Sequence, residues 1–317
     1  MTTQLSVTIG QHSDQGVKPL NQDSQGVFIP QQPFLDTKGV AVAIADGISS
    51  SQVSQIASEL CIKGFLDDYY ATAESWTVKT SAQRVLQATN SWLYSHNRNS
   101  QFRYDLNKGY VCTFSALILK STTAYVFHIG DARIYQVQGD ALEQLTEDHR
   151  LQVSAERNYL SRAMGIKQHL EIDYLSLPVD QGDVFVLATD GVYEYVSAGF
   201  ITRCIREQGD DLDAAAQAII AEALANGSDD NLSVQIVRID GLPSPEANEL
   251  HQSLDKLPLP PVLEARIAFD GYTIVRSLHA SSRSHVYLVL DNETDQQWVL
   301  KTPSVDMRDN QAHLESF

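Results

Sequence analysis

The chain has 317 residues, of which 43% are apolar, 20% charged and 8% aromatic; it is too long for one average domain, and its composition excludes a largely disordered protein. Forty acidic residues against 23 basic ones give a net charge of -17 with no long Lys/Arg run, which argues against nucleic-acid and anionic-lipid partners. Three scattered cysteines without CxxC spacing (Cys61, Cys112 and Cys204) argue against a disulfide framework or a zinc site and suit a reducing cytoplasm. No uncharged apolar run reaches the roughly 18 residues a membrane span needs, and MTTQLSVTIGQ lacks the flank and apolar core of a signal peptide.

In chain order, the first strands expected are LSVTIG, GVFI and VAVAIA. A helix follows with Val53, Ile56, Ala57, Leu60, Cys61 and Phe65 on one face, then a second with Val85, Leu86, Trp92 and Leu93. YVCTFSALIL, AYVFHIG and RIYQV run as successive strands with no helix between them, and VFVLAT comes later. A third helix carries Leu212, Ala215, Ala216, Ile219, Ile220 and Ala223 and stops at Gly227; NLSVQIV is the last strand of this region. Because strict βα alternation is missing, the class predicted is α+β, with mainly antiparallel sheets packed by helices. Residues 241–263 hold five of the ten prolines and read as an extended linker after a first domain of residues 1–240. Beyond it, FDGYTIVRSL, HVYLVLD and QQWVLKTP read as three short strands of a β-rich fragment, residues 264–317.

Acids punctuate the strand ends. VAVAIA runs into Asp46-Gly47, AYVFHIG into Asp131 and VFVLAT into Asp190-Gly191; Asp230 and Asn231 precede LSVQIV, and Asp23 precedes GVFI. Each alone could be a turn former, since Asp bonds nearby backbone and favours loops, and surplus carboxylate is most often a solvated surface. As a set they suit hard divalent cations such as Mg²⁺ or Mn²⁺, which take several oxygen ligands, with Gly after Asp leaving a carbonyl accessible. Two such ions sharing a carboxylate can acidify a bridging water and neutralise phosphoryl oxygens. An acidic calcium-binding protein would instead carry D-x-D-x-D-G loops, which are absent.

In order, SDQGVKPLNQDS, AVAIADGIS, VCTFSALIL, HIGDARIY, LTEDH, LSRAMG, GDVFVLATDGVYEYV and SDDNLSVQIV resemble the motifs of the type 2C, metal-dependent serine/threonine protein phosphatases in their bacterial form, over about residues 5–238. The resemblance implies a four-layer α-β-β-α sandwich of two antiparallel sheets flanked by helices, with the metals at one edge. It implies that Asp46 bridges two tightly held ions, that Asp190 and Asp230 complete one site, and that Asp23 and the Gly47 carbonyl serve the other. Asp131 with Asp190 would hold a third, weaker ion, so Asp46, Asp190 and Asp131 are the catalytic candidates. Asp229 is the neighbour to distinguish from Asp230. Lys18 stands where many members have a phosphate-holding Arg, and it lacks Arg's bidentate fork. Ile48 replaces the His that follows DG in animal enzymes, Ser49 and Ser50 replace glycines, and no metal ligand is lost. His149 reads as a structural or loop residue and Cys112 as a buried strand residue.

The implied function is hydrolysis of phosphoserine and phosphothreonine in protein substrates, with a catalytically weak regulatory module of the same fold as the alternative. His279, Ala280, Ser281, Ser284 and Val286 fall where the Gly-rich loop of a protein kinase would be, without its glycines, and Lys301 in WVLK falls at the strand-three lysine. Residues 264–317 therefore resemble the truncated start of a protein-kinase domain in a phosphatase–kinase fusion, with the rest of that domain an expected partner. Lacking HRD and DFG, this stretch is expected to have no kinase activity of its own.

Overall fold

The structure, a computed structural model, describes residues 4–154, 157–243, 261–282, 284–292, 294 and 296–304, with backbone alone for 151–154 and 157–159. The chain divides into two compact units, Met1–Pro245 and Glu246–Phe317. Most of the proline-rich stretch 241–263 and the end of the second unit lie outside the described residues.

The first unit runs β1 (Ser6–Asp14), β2 (Asp23–Phe28), α1 (Phe34–Thr37), β3 (Val40–Asp46), α2 (Ser54–Ala71), α3 (Val78–Arg98), β4 (Phe114–Lys120), β5 (Thr123–Ile129) and β6 (Arg133–Gln138). It continues with β7 (Ala141–Gln144), β8 (Arg150–Ser154), β9 (Arg157–Leu160), β10 (Asp173–Pro178), β11 (Val184–Ala188), α4 (Asp190–Tyr193), α5 (Ala198–Gln208), α6 (Leu212–Ala225) and β12 (Leu232–Gly241). One antiparallel sheet has the order β1-β12-β11-β6-β7, the other β10-β5-β4-β3-β2. β8 and β9 form a separate hairpin.

The strand sequences explain the layering. In β3, Val40, Val42 and Ile44 face the other sheet, where they meet Phe185, Leu187, Val237 and Ile239. The alternate residues Ala41, Ala43 and Ala45 lie beneath Phe65 of α2 and Leu86 and Leu93 of α3. Small residues on that face let the helices approach closely, as period-2 alternation allows. On the opposite side Val186, Val234 and Ile236 pack against Ile201 of α5 and Ile219 and Ile220 of α6. Both faces of both sheets are thus covered, which is why the strands read as nearly continuous apolar runs. The expected four-layer sandwich is the observed fold.

Helix starts are capped by side chains: Thr77 accepts from Thr80 N–H, Ser197 from Phe200 N–H and Asp211 from Ala214 N–H. The α6 stripe is buried in full, and Gly227 takes φ 87° just past its end. Two assignments shift. Ile56 and Trp92 are 42% and 47% exposed, so the buried face of α2 runs instead through Ser54, Ala57, Ser58, Cys61, Ile62 and Phe65. YVCTFSALIL becomes regular strand only from Phe114, because Cys112 makes isolated bridges to Gly47 and Met164. The sequence pattern also misses α5, whose buried Ile201, Thr202, Cys204 and Ile205 are poor helix formers, and β10, a half-buried edge strand.

The second unit is an antiparallel meander of β13 (Ala268–Phe269), β14 (Tyr272–Ala280), β15 (Ser284–Asp291) and β16 (Gln297–Pro303). Asp270 and Gly271, at φ 49° and 83°, form the tight turn between its first two strands. Leu263, Ile274, Tyr287 and Val289 make its small core.

Gly10 of β1 lies against the start of α6, where an added Cβ would sit 2.0 Å from the Leu212 carbonyl carbon. Gly10→Ala must push α6 off the sheet, and overpacking of this kind costs about 1–3 kcal/mol. Calorimetry is expected to show the first unit melting lower by about 2–12 °C, at roughly 2–4 °C per kcal/mol.

Candidate active site

The strand-end acids come from both sheets and meet at one edge of the sandwich. Asp46, Asp131, Asp190 and Asp230 line one cleft of about 660 Å³, together with Arg150 and Glu194. Asp23 lies at the base of this arrangement, paired in register with Asp46 across β2 and β3. It is 8% exposed, and its Oδ2 accepts from the Thr189 hydroxyl at 2.9 Å.

The backbone around these acids is held by polar side chains. Thr113 Oγ1 accepts from Asp46 N–H at 2.9 Å, while Thr113 N–H donates to the Asp46 carbonyl at 2.7 Å. Asn231 Oδ1 accepts from Gln22 N–H at 2.8 Å, and its Nδ2 donates to the carbonyls of Gln15 and Leu20. One amide side chain thereby ties the loop carrying Lys18 and leading to Asp23 onto the start of β12. A Cβ on Gly191 would lie 2.0 Å from the Asn231 carbonyl, so only glycine lets Asp190 approach Asp230 along this path.

Asp230 receives Lys18 Nζ at 3.3 Å and the Ser49 hydroxyl at 3.3 Å. Asp229 is exposed and accepts instead from Tyr195 OH at 3.1 Å. Asp131 sits on the turn that carries the chain from β5 in one sheet to β6 in the other. There Gly130 N–H donates to His149 Nδ1 at 3.0 Å, and His149 N–H donates to the Gly130 carbonyl at 2.7 Å. With Nδ1 accepting, the ring proton is on Nε2 and faces Asp173 Oδ2 at 2.8 Å. His149 is a structural residue of the Asp131 turn, as expected. Cys112 is fully buried beside Cys61, with its thiol pushed well up by burial.

Arg133 lies two residues after Asp131 but is not its partner. Arg133 grips Asp148 at 2.7 and 2.9 Å and stacks 3.8 Å over the Tyr193 ring. The Asp131 carboxylate is bound by Arg150, whose other two donor groups reach Asp190 and Glu194. Arg150 and Glu194 were not picked out from sequence. Glu194 caps α4 four residues after Asp190, and that i, i+4 spacing was the one available signal for it.

Burial dominates the electrostatics. It pushes Asp23 up to about 6, against a downward pull from the neighbouring Ser233, Thr189 and Asp46 side chains. Burial, then the charge of Asp131, pushes Asp190 up to about 7 against the pull of Arg150. Asp46 is raised well above the carboxylate range, by burial first and then by Asp23, Asp190, Asp131 and Asp230. Asp131 is raised by burial and held back by Arg150. The donor set suits a hard divalent cation: it is all oxygen, mutually repelling, and includes Asp23 Oδ1, buried without a hydrogen-bond partner among the described residues. In the present arrangement no three acidic, His or Cys side chains among the described residues converge tightly enough to hold an ion by themselves. Arg150 and Lys18 engage three of the acids instead.

Residues 12–232 match the protein phosphatase 2C family. The serine/threonine phosphatase stp of Listeria innocua is 27% identical over 244 residues, covering 71% of this chain and 93% of that protein. The serine/threonine phosphatase of S. agalactiae has a similar fold, with a TM-score of 0.64 and 23% identity over 74% of this chain and 100% of that one. The catalytic domain of the phosphatase PstP, solved with 2 manganese ions, aligns at a TM-score of 0.60 and 22% identity, over 75% of this chain and 100% of that one. With two antiparallel sheets, an acidic cleft at their edge and a match spanning most of the first unit, the chain belongs to the protein phosphatase 2C family.

Proposed function

We propose that this chain, a divalent-metal-dependent protein serine/threonine phosphatase, works through the acids gathered at the sandwich edge. The observation that carries the residue assignment is the buried, in-register pair Asp23–Asp46, with Asp23 Oδ1 unpartnered among the described residues and three more acids around it. Asp46, Asp190 and Asp230 would hold one Mn²⁺ or Mg²⁺, and Asp46, Asp23 and the Gly47 carbonyl a second. Asp131 with Asp190 would hold a weaker third. When bound, such cations supply the charge that acidifies a water and offsets the phosphoryl oxygens.

The chain's own residues do the rest. The hydrogen bonds of Thr113, Thr189 and Asn231 hold the acids in place before substrate arrives, so little reorganisation is left for the reaction. Lys18, at the rim beside Asp230, offers a point charge to the phosphate of a phosphoserine or phosphothreonine chain. Ile48, Val111 and Ile166 give the cleft an apolar wall that limits water and receives the peptide.

In the second unit we read the meander as the start of a protein-kinase fold, with Lys301 on β16 opposite Val286 of β15. It has no part in the proposed chemistry.

Three outcomes are expected. Asp46→Ala should fold normally by circular dichroism and lose hydrolysis of p-nitrophenyl phosphate by at least ~10²-fold at saturating Mn²⁺. Asp190→Ala and Asp230→Ala should be nearly as severe, and Asp131→Ala should lose turnover while keeping the two tight sites in calorimetry. The second concerns pH. Asp23 and Asp190 bind protons more tightly when folded than at the ordinary value of 3.8. Stability of the metal-free protein is therefore lost as pH rises from about 4 through about 7. EDTA-treated protein should melt lower at pH 7.5 than at pH 5, with Mn²⁺ restoring more stability at pH 7.5. The third is that deleting residues 243–317 leaves turnover of the small substrate within a few-fold.

A further inference from the structure

Arg150 is the most heavily committed cation in the cleft. Its Nε lies 2.5 Å from Asp131 Oδ2, its Nη2 2.7 Å from Asp190 Oδ2 and its Nη1 2.6 Å from Glu194 Oε1. Each edge of the planar fork thus meets a different carboxylate, in charge-assisted hydrogen bonds. The side chain is 20% exposed, against 30% for Lys18, which pairs with Asp230.

The backbone fixes this placement. Arg150 directly follows His149, whose N–H and Nδ1 are both bonded to Gly130, so the base of the Arg150 side chain is pinned to the Asp131 turn. From the other side, Tyr193 OH donates to the Asp131 carbonyl at 3.0 Å, and Glu194 N–H closes α4 onto the Asp190 carbonyl. Asp131, Asp190 and Glu194 therefore surround one point, and a guanidinium fills it.

We propose that Arg150 is the protein's own occupant of the weak cation position between Asp131 and Asp190, and that it sets how tightly a third divalent ion binds there. The inference rests on the metal-site reading given above. A cation entering between these acids must displace the guanidinium from two partners, so Arg150 competes with it directly. Of the acids proposed for the tight pair, Asp46 and Asp23 have no contact with Arg150 among the described residues, and Asp190 is shared with the weak position. Glu194, which is not among the proposed ligands, acts as the third anchor that keeps the fork in the cleft.

The test is Mn²⁺ calorimetry on the full chain and on Arg150→Gln and Glu194→Gln, without substrate. Arg150→Gln is expected to tighten the weak site by about tenfold or more and to leave the tightest binding step in place. Glu194→Gln, which only loosens the fork, is expected to tighten the weak site by a smaller factor; it also serves should Arg150→Gln fail to fold. An unchanged weak site in the variants that fold, with the tight pair titrating normally, overturns the role of Arg150 alone. Loss or absence of the tight pair in the unmodified chain overturns the metal-site reading and this inference with it.

Discussion

Five aspartates held at one edge of a two-sheet sandwich repel one another, and most of them are removed from water. That repulsion is the condition the first unit is built around. Burial makes the ionised state of Asp23, Asp46 and Asp190 costly, and their proximity raises the cost further. Such a cluster persists only if the surrounding frame is stiff and if positive charge is available to it. In the chain itself the positive charge comes from Arg150 and Lys18; in the mechanism proposed above, divalent metal supplies the rest.

The frame is stiff because most of the acids sit where a covered strand begins or ends. β3 and β11 are buried on both faces, so Asp46 and Asp190 emerge from segments that cannot shift without disturbing two apolar layers. Between the strands, single polar side chains close the joints. Thr189 links Asp23 to the Ser233 backbone across the two sheets, and Asn231 binds three backbone groups of residues 15–22. His149 does the same at the turn between sheets, with its ring and its own backbone both committed to Gly130. These are buried, satisfied polar contacts, and their value is positional.

The acidic surface and the acidic site should be kept apart. A net charge of -17 on the whole chain favours solubility and repels anions. A phosphorylated substrate is an anion, so the cleft must present local positive charge against the background field. The carboxylates cannot provide it, Arg150 is already paired with three of them, and Lys18 is a single, partly buried rim charge. Dependence on divalent metal is in this sense a direct consequence of the composition of the site.

Much of this was legible in the amino-acid sequence. Runs such as VAVAIA and VFVLA are apolar at every position because both faces are covered, and an Asp just past the end of such a run must sit at a sheet edge. The order of the DG, GDAR, TDG and DN motifs carried the family. What sequence could not give was which charged groups meet. Arg133 is two residues from Asp131, yet the register of β6 turns it to Asp148, while Arg150, nineteen positions on, reaches Asp131. Adjacent Asp229 and Asp230 are chemically identical, and only the path of the chain into β12 sends one to Tyr195 and the other into the cleft. Local pattern reports burial and turn propensity, because these depend on neighbours in sequence. Ion pairing depends on where two distant backbones place their side chains, and that is decided by tertiary packing.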